Sequence, residues 1–250
     1  MTALRVYKVG GPALEDPALA GPLAAEVGQA PTLLVHGGGR HVERLLKALS
    51  IESRFVDGRR ETSAAAMEVV EMVLSGGVNK SLVAELLAAG VPAVGLSGRD
   101  GGLIRARLTP GLGRVGTPEK VDPLVLRALL DAGFVPVVSP VSNGPSGESV
   151  NVNADEAALG LAQALAARAL VYLSDVDGVS VEGEALELLT AGDAQRFIEA
   201  GAIQAGMAMK VRAALEASRG GVREVVIAGK ARLTGGFPGT RVVARGGAQP

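Results

Sequence analysis

The feature that most constrains this chain is an alternation along its length. Short apolar, β-branched runs take turns with Ala/Leu-rich stretches of helical period. The strand candidates cover residues 4–9, 32–36, 93–97, 103–107, 135–139, 169–174 and 224–228. Several are apolar at every position instead of every second one, which suits parallel strands covered on both faces. The helix candidates cover residues 17–27, 41–49, 63–74, 79–89, 123–132, 154–167, 191–199 and 207–219, with Gly76-Gly77 expected to break the pattern between 63 and 89. Strand–helix alternation of this kind predicts an α/β fold with a largely parallel central sheet. Asn143-Gly144-Pro145-Ser146-Gly147-Glu148 reads as an exposed turn, residues 109–118 as a Gly/Pro-rich mobile loop, and residues 245–250 as a frayed tail.

Composition narrows the function classes. The 250 residues are 48% hydrophobic, enough for a sizeable core. A net charge of −1 argues against a globally basic nucleic-acid or membrane-surface binder, and six aromatics argue against base-stacking platforms. Without cysteine there is no disulfide, iron–sulfur cluster, Cys-ligated zinc or thiol catalysis; with only His36 and His41, a multi-histidine metal site is not expected. No run approaches the ~18 apolar residues of a membrane span, and residues 1–6 lack the pattern of a secretory leader, so a cytoplasmic protein is expected. The basic residues are 19 Arg and 6 Lys, which makes each lysine informative.

Two strands run into glycine. Tyr7-Lys8-Val9-Gly10-Gly11 ends in two, and Val35-His36-Gly37-Gly38-Gly39-Arg40 in three before a helix. Glycine at the carboxyl end of a parallel strand lets backbone N–H groups approach a phosphate or carboxylate closely. Better-known glycine motifs fail: a dinucleotide fingerprint needs Gly where Val42 stands, a P-loop needs Gly where Asn79 stands, and Gly95-Leu96-Ser97-Gly98-Arg99 is not a nucleophile elbow.

Further polar residues stand in apolar settings. Two of the four Asn fall in Val150-Asn151-Val152-Asn153-Ala154-Asp155, where Asn153 or Asp155 can cap a helix and Asp155 gains from its dipole. Ser174-Asp175-Val176-Asp177-Gly178-Val179 follows an apolar strand and reads equally as a plain turn or a nucleotide-contacting loop, with a metal loop ranked below both. Lys210, in Gly206-Met207-Ala208-Met209-Lys210, is either a snorkelling surface lysine or a retained point charge. Arg59-Arg60 alone reads as a surface pair, before a helix capped by Thr62 or Ser63.

The ordered set of these segments, with Asn79-Lys80, Gly113-Arg114-Val115-Gly116 and Gly239-Thr240, resembles the amino-acid kinase superfamily over residues 4–244, and most closely its N-acetyl-L-glutamate kinases. The resemblance implies an open three-layer αβα sandwich, with residues 1–170 binding the amino-acid substrate and making the dimer, 171–244 binding ATP, and 245–250 a tail. It implies transfer of phosphate from ATP to the γ-carboxylate of N-acetyl-L-glutamate, as in arginine biosynthesis. Lys8 and Lys210 would stabilise the transferring phosphoryl group and Asp155 would hold both lysines. Gly10, Gly11, Gly37, Gly38 and Gly39 would supply backbone donors, with Gly38 and Gly39 on the substrate side together with Arg60 and Asn151. ATP would meet Gly10, Gly11, Ser174, Asp175, Val176, Asp177, Gly178 and Val179. Mg²⁺ would be held mainly by ATP phosphates, with no protein metal site. The nucleophile is already a carboxylate, so no general base is required, and the scarcity of His and Cys agrees with that.

The nearest alternative is the relative acting on an α-aminoadipate or glutamate unit borne by a small acidic carrier protein. The intact Asn-Val-Asn-Ala-Asp favours free acetylglutamate, whereas Arg60 is shared and the segment 95–101 varies. A non-catalytic nucleotide-binding protein on the same fold need not keep Lys8, Asp155 and Lys210 together, and this chain keeps all three. Arginine-inhibited hexameric members carry a helix ahead of the first strand. Strand one begins here near Leu4, so a homodimer insensitive to arginine is expected, with helices 41–49 and 63–74 as candidate contacts.

Overall fold

A computed structural model describes residues 3–16, 18–56 and 58–244. The chain runs β1 (Arg5–Val9), α1 (Gly11–Leu14), α2 (Ala20–Val27), β2 (Thr32–His36), α3 (Gly39–Ala48), β3 (Phe55–Val56), β4 (Arg59–Arg60) and α4 (Ala64–Glu71). A π-helical stretch, Met72–Val78, leads into α5 (Asn79–Ala88), β5 (Ala93–Ser97), β6 (Ile104–Leu108), β7 (Val115–Val121), α6 (Leu124–Asp131), β8 (Val135–Ser139), β9 (Val141–Asn143), β10 (Ser149–Val152) and α7 (Ala154–Ala164). The remainder is β11 (Ala169–Leu173), β12 (Ser180–Val181), β13 (Glu184–Ala185), β14 (Leu188–Thr190), α8 (Ala191–Glu199), α9 (Ala205–Arg219), β15 (Glu224–Ala228) and β16 (Thr240–Val243).

Eight strands form the central sheet in the order β14-β16-β15-β11-β1-β2-β8-β5. Every neighbouring pair is parallel except β15–β16. β2, β8 and β11 are buried at all five positions, as continuous apolar runs predict. Alternate residues serve opposite faces. Val6, Leu33, Val35, Leu170 and Ile227 join the core with α7 and α9, while Tyr7, Leu34, Val137, Val171 and Val226 join the core with α2 and α5. By the same alternation Lys8 faces the α7/α9 side and His36 the α5 side. This is the three-layer α/β arrangement expected from the sequence.

Several local expectations are corrected. Gly76-Gly77 does not break the helix. The backbone widens into the π-helical stretch and continues, with Leu74 and Val78 buried against Gly38. The strand expected at 103–107 is real but lies outside the central sheet. It forms, with β7, β9 and β10, a small closed ring of strands. The loop expected over 109–118 ends at residue 114, because β7 begins at Val115. Its remainder is tied down by Thr62 N–H to Leu112 O (3.1 Å) and Arg114 N–H to Thr62 O (2.7 Å). The helix expected from 17 starts at Ala20 (Pro17 lies outside the described residues), and that at 41 starts earlier, at Gly39. The expected frayed tail, 245–250, also lies outside the described residues.

Candidate active site

Parallel register brings the strand ends together. Val9 of β1 pairs with His36 of β2 and Leu173 of β11, and Leu173 pairs with Ala228 of β15. Gly10, Gly37, Ser174 and Gly229 therefore leave the sheet side by side. The ladder continues one step further, with Gly10 N–H donating to Leu173 O and Gly37 N–H to Val9 O, both at 3.0 Å. Those two amides are committed to the sheet, so Gly10 contributes close approach instead of a donor. A Cβ on it would stand 3.2 Å from Leu173 O and 3.7 Å from Lys8 Nζ. Gly11 opens α1. Gly38 is the N-cap of α3 and Gly39 its first residue, where helix geometry leaves N–H groups unpaired and the dipole favours an anion. Gly38 has φ +146°, and a Cβ there would lie 2.7 Å from Leu74 Cδ2.

Lys8 Nζ lies 2.8 Å from Asp155 Oδ1, and Lys210 Nζ 3.8 Å from Asp155 Oδ2. Lys8 is only 7% exposed although it carries a charge. Asp155 lies in the first turn of α7, where Asn153 is the cap, its side chain accepting from Asp155 N–H at 2.8 Å. Burial would push the Asp155 carboxyl up, but Lys8 and then Lys210 outweigh it and hold the group below the usual range. Burial pushes Lys210 down and the charge of Lys8 pushes it further, opposed by Asp155 and by Asp175. Asp175 thus brings the 174–179 loop to the Lys210 side. The loop is anchored by Thr240, whose Oγ1 accepts from Val179 N–H at 2.8 Å, and a Cβ on Gly178 would meet that oxygen at 2.6 Å. A Cβ on Gly229 would run into Asp177.

A cavity of about 220 Å³ opens beside this cluster, its walls including Lys8, Gly37, Gly38, Gly39, Arg60, Asn151 and Asp155. Arg60 is 7% exposed, so it is not a surface arginine. It donates to Glu43, to Ser53 Oγ (2.9 Å) and to Gly39 O (3.2 Å), with its guanidinium 4.6 Å from the Phe55 ring centroid. These bonds use three of its five N–H donors. Asn151 Nδ2 donates to Thr62 Oγ1 at 3.1 Å, which in turn donates to Arg60 O at 2.7 Å. The 174–179 loop, Gly10, Gly11 and Lys210 are not among the walls of this cavity. They stand at the adjoining strand ends and across Asp155.

Three supports have roles the sequence does not show, and Thr62, a candidate cap, leaves the capping of α4 to Ser63. Thr62 joins Arg60 to Asn151. Thr240 fixes the 174–179 loop. His36, fully buried, makes a 2.8 Å bond to Gly37 O through Nδ1 and a 3.1 Å bond to Asn79 Nδ2 through Nε2. Burial drives its pKa down to about 4, so the ring is neutral. Nδ1–H then donates to Gly37 O and Nε2 accepts from Asn79. A histidine closing an apolar strand and an Asn among only four were the available signals.

Among the described residues no group of three or more His, Cys, Asp or Glu is placed to hold a metal ion, and no helix is long and apolar enough to cross a membrane.

The pattern of the amino acid kinase family matches residues 3–229. An acetylglutamate kinase of Rubrobacter xylanophilus is 45% identical over 243 residues, covering 95% of this chain and 96% of that one. One from Chloroflexus aurantiacus is 44% identical over 248 residues, covering 96% and 97%. Among solved structures, smu.665 of Streptococcus mutans UA159 superposes with TM-score 0.87 at 27% identity, covering 98% of this chain and 100% of that one. N-acetylglutamate synthase of Neisseria gonorrhoeae, complexed with coenzyme A and N-acetyl-glutamate, gives TM-score 0.83 at 27% identity, with 98% of this chain matched to 60% of that one. The chain belongs to the amino acid kinase family, and within it to the acetylglutamate kinases.

Proposed function

We propose that this protein transfers the γ-phosphoryl group of ATP to the γ-carboxylate of N-acetyl-L-glutamate, giving the acyl phosphate and ADP for arginine biosynthesis. The observation that carries the reading is the buried Lys8–Asp155–Lys210 cluster bordering a cavity built from a glycine turn, Arg60 and Asn151. The acceptor lies in that cavity. Its α-carboxylate end meets Arg60, which has N–H donors to spare, and Asn151. Its γ-carboxylate points at Lys8 and the α3 amides of Gly38 and Gly39. ATP enters over Gly10, Gly11 and the 174–179 loop and presents its terminal phosphate between the lysines.

A carboxylate oxygen then attacks phosphorus while the bond to the ADP oxygen breaks. No proton moves, so no base is needed. The protein contributes positioning and charge stabilisation. Two ammonium groups offset the negative charge spread over the equatorial oxygens. Asp155 pairs with both lysines and directs them, and its charge opposes the burial that pushes Lys210 down. Mg²⁺ would come in on the nucleotide phosphates and neutralise phosphate charge there.

Residues 1–170 serve as the acceptor lobe and 171–244 as the nucleotide lobe of one continuous sheet, and the protein works in the cytoplasm. A homodimer through α3 and the 64–74 region completes the reading. It is supported by an apolar groove of about 520 Å³ that Leu45, Met72, Val73 and Leu82 help to line, with Met72 exposed.

The test is ADP release with Mg²⁺-ATP, comparing N-acetyl-L-glutamate with glutamate, aspartate and N-acetyl-α-aminoadipate. Preference for acetylglutamate is expected. Silence on every free substrate with ATP binding intact would overturn the reading.

A further inference from the structure

Three consecutive residues, Gly58, Arg59 and Arg60, span the site from one side to the other. Arg60 turns into the acceptor cavity and reaches Gly39 O. Arg59, its neighbour in β4, also borders that cavity, but its guanidinium is committed to a different partner. It pairs with Glu156, the residue after Asp155 in the first turn of α7, and lies 3.4 Å from Thr109 Oγ1. Gly58, with φ +75°, sits directly on the thioether of Met209, the residue before Lys210, leaving no room for a Cβ.

The hairpin that carries these residues cannot place itself. β3 and β4 pair over two residues each and join neither the central sheet nor the strand ring. Two-stranded ribbons of that length are not stable alone, so tertiary anchors set the position. The Arg59 and Glu156 side chains are 26% and 25% exposed, sheltered enough for the pair to be stronger than a surface ion pair. Glu156 has a further reason to need Arg59. Burial pushes its carboxyl up, Arg59 opposes that, and Glu216 and Asp155 add to it.

We propose that Arg59 is a positioning residue for phosphoryl transfer. Through Glu156, and with Gly58 seated on Met209, it ties the acceptor-side hairpin to the two helices carrying Asp155 and Lys210. Filling the acceptor cavity then aligns the transfer lysine, and acceptor and nucleotide binding become energetically coupled. This rests on the acetylglutamate kinase reading above.

The test uses the full chain with Arg59→Leu, Glu156→Gln, the double variant and Arg59→Lys. Steady-state constants are measured for both substrates, and the Kd of a non-hydrolysable ATP analogue with Mg²⁺ is measured with and without N-acetylglutamate. In the wild type the acceptor tightens the analogue. Each charge-removing single variant lowers kcat by ~10-fold or more, keeps the analogue Kd without acceptor within about twofold, and loses the tightening. The double variant is no worse than the weaker single, as expected for two groups acting as one pair. Arg59→Lys keeps the ion pair and recovers most of the turnover, which excludes misfolding as the cause. Losses that add in the double variant, a change confined to acceptor KM, or tightening retained without Arg59 would each overturn the inference while leaving the function reading intact. A wild type without tightening overturns it equally. A wild type silent on acetylglutamate overturns the function reading and this inference with it.

Discussion

Lys8 and Lys210 occupy opposite oxygens of one carboxylate, which makes them unequal to any surface lysine. Each is an ammonium held in a mostly buried place by Asp155. A compact point charge can sit between phosphate oxygens where a planar guanidinium does not fit. On the proposed transfer chemistry, that gives a physical reason for lysine at these two positions in a chain with 19 Arg and 6 Lys. Lys8→Ala and Lys210→Ala are each expected to lower kcat by at least ~10²-fold, the effect of losing one strong electrostatic donor. ADP release by purified variants with unchanged circular dichroism measures this. Turnover within threefold of wild type in both would refute the assignment. Lys8, Asp155 and Lys210 each depart from their surroundings in sequence, but Lys210 reads equally as a snorkelling surface lysine and Asp155 as a helix cap, and only the family resemblance joins the three. Arg59 was not readable beforehand, since in sequence it is half of an Arg-Arg pair, and only the carboxylate each guanidinium meets, Glu156 for Arg59 and Glu43 for Arg60, separates their roles.

At the scale of elements, the glycine turn after β2 shows how neighbouring glycines differ. Gly38 is strained for any other residue at φ +146° and abuts Leu74, held there by the π-helical stretch. Gly39 begins α3, and a Cβ on it would meet nothing within 4 Å. Gly38→Ala is therefore expected to cost about 1–3 kcal/mol of stability and to weaken acceptor binding. Gly39→Ala should leave the urea midpoint unchanged and raise only the acceptor KM, because its Cβ would project where the substrate lies. An unchanged KM in Gly39→Ala would remove Gly39 from the acceptor site. The turn itself was legible, as were six of the eight sheet strands, because both are continuous local patterns; β14 and β16, three and four residues long, were not. The ring of β6, β7, β9 and β10 was legible only at β6. β9 and β10 are three and four residues long, and the seven-residue β7 carries Pro118, Glu119 and Lys120 where a strand pattern should be apolar. The π-helical stretch was misread because Gly-Gly ordinarily ends a helix. Here the buried Leu74 and Val78 on either side keep it going.

The scale of the whole molecule is reached through His36, which ends the strand beside β1 in the middle of the central sheet and is fully buried. Its pKa falls from 6.5 to about 4, chiefly because burial penalises the charged ring. In the unfolded chain the imidazole takes up a proton near pH 6.5, but the folded protein refuses it until near pH 4. Between those values the unfolded state binds more protons, so stability rises with pH through the window. The contribution is complete above pH 6.5 and is lost as pH falls toward 4. Between pH 7 and pH 5 the loss amounts to about 2 kcal/mol. Asp155, held below the carboxylate range, loses its contribution only in stronger acid. Glu156, pushed up by burial, acts in the opposite direction within part of the same window. His36→Asn isolates the histidine, since the amide can still donate to Gly37 O but cannot titrate, and Glu156 is common to both chains. Urea unfolding of wild type and variant at pH 7 and pH 5 should show the wild type losing about 2 kcal/mol more than the variant. Parallel losses would mean that His36 becomes charged inside the folded sheet, and that Asn79 and Gly37 hold an imidazolium in place of a neutral ring.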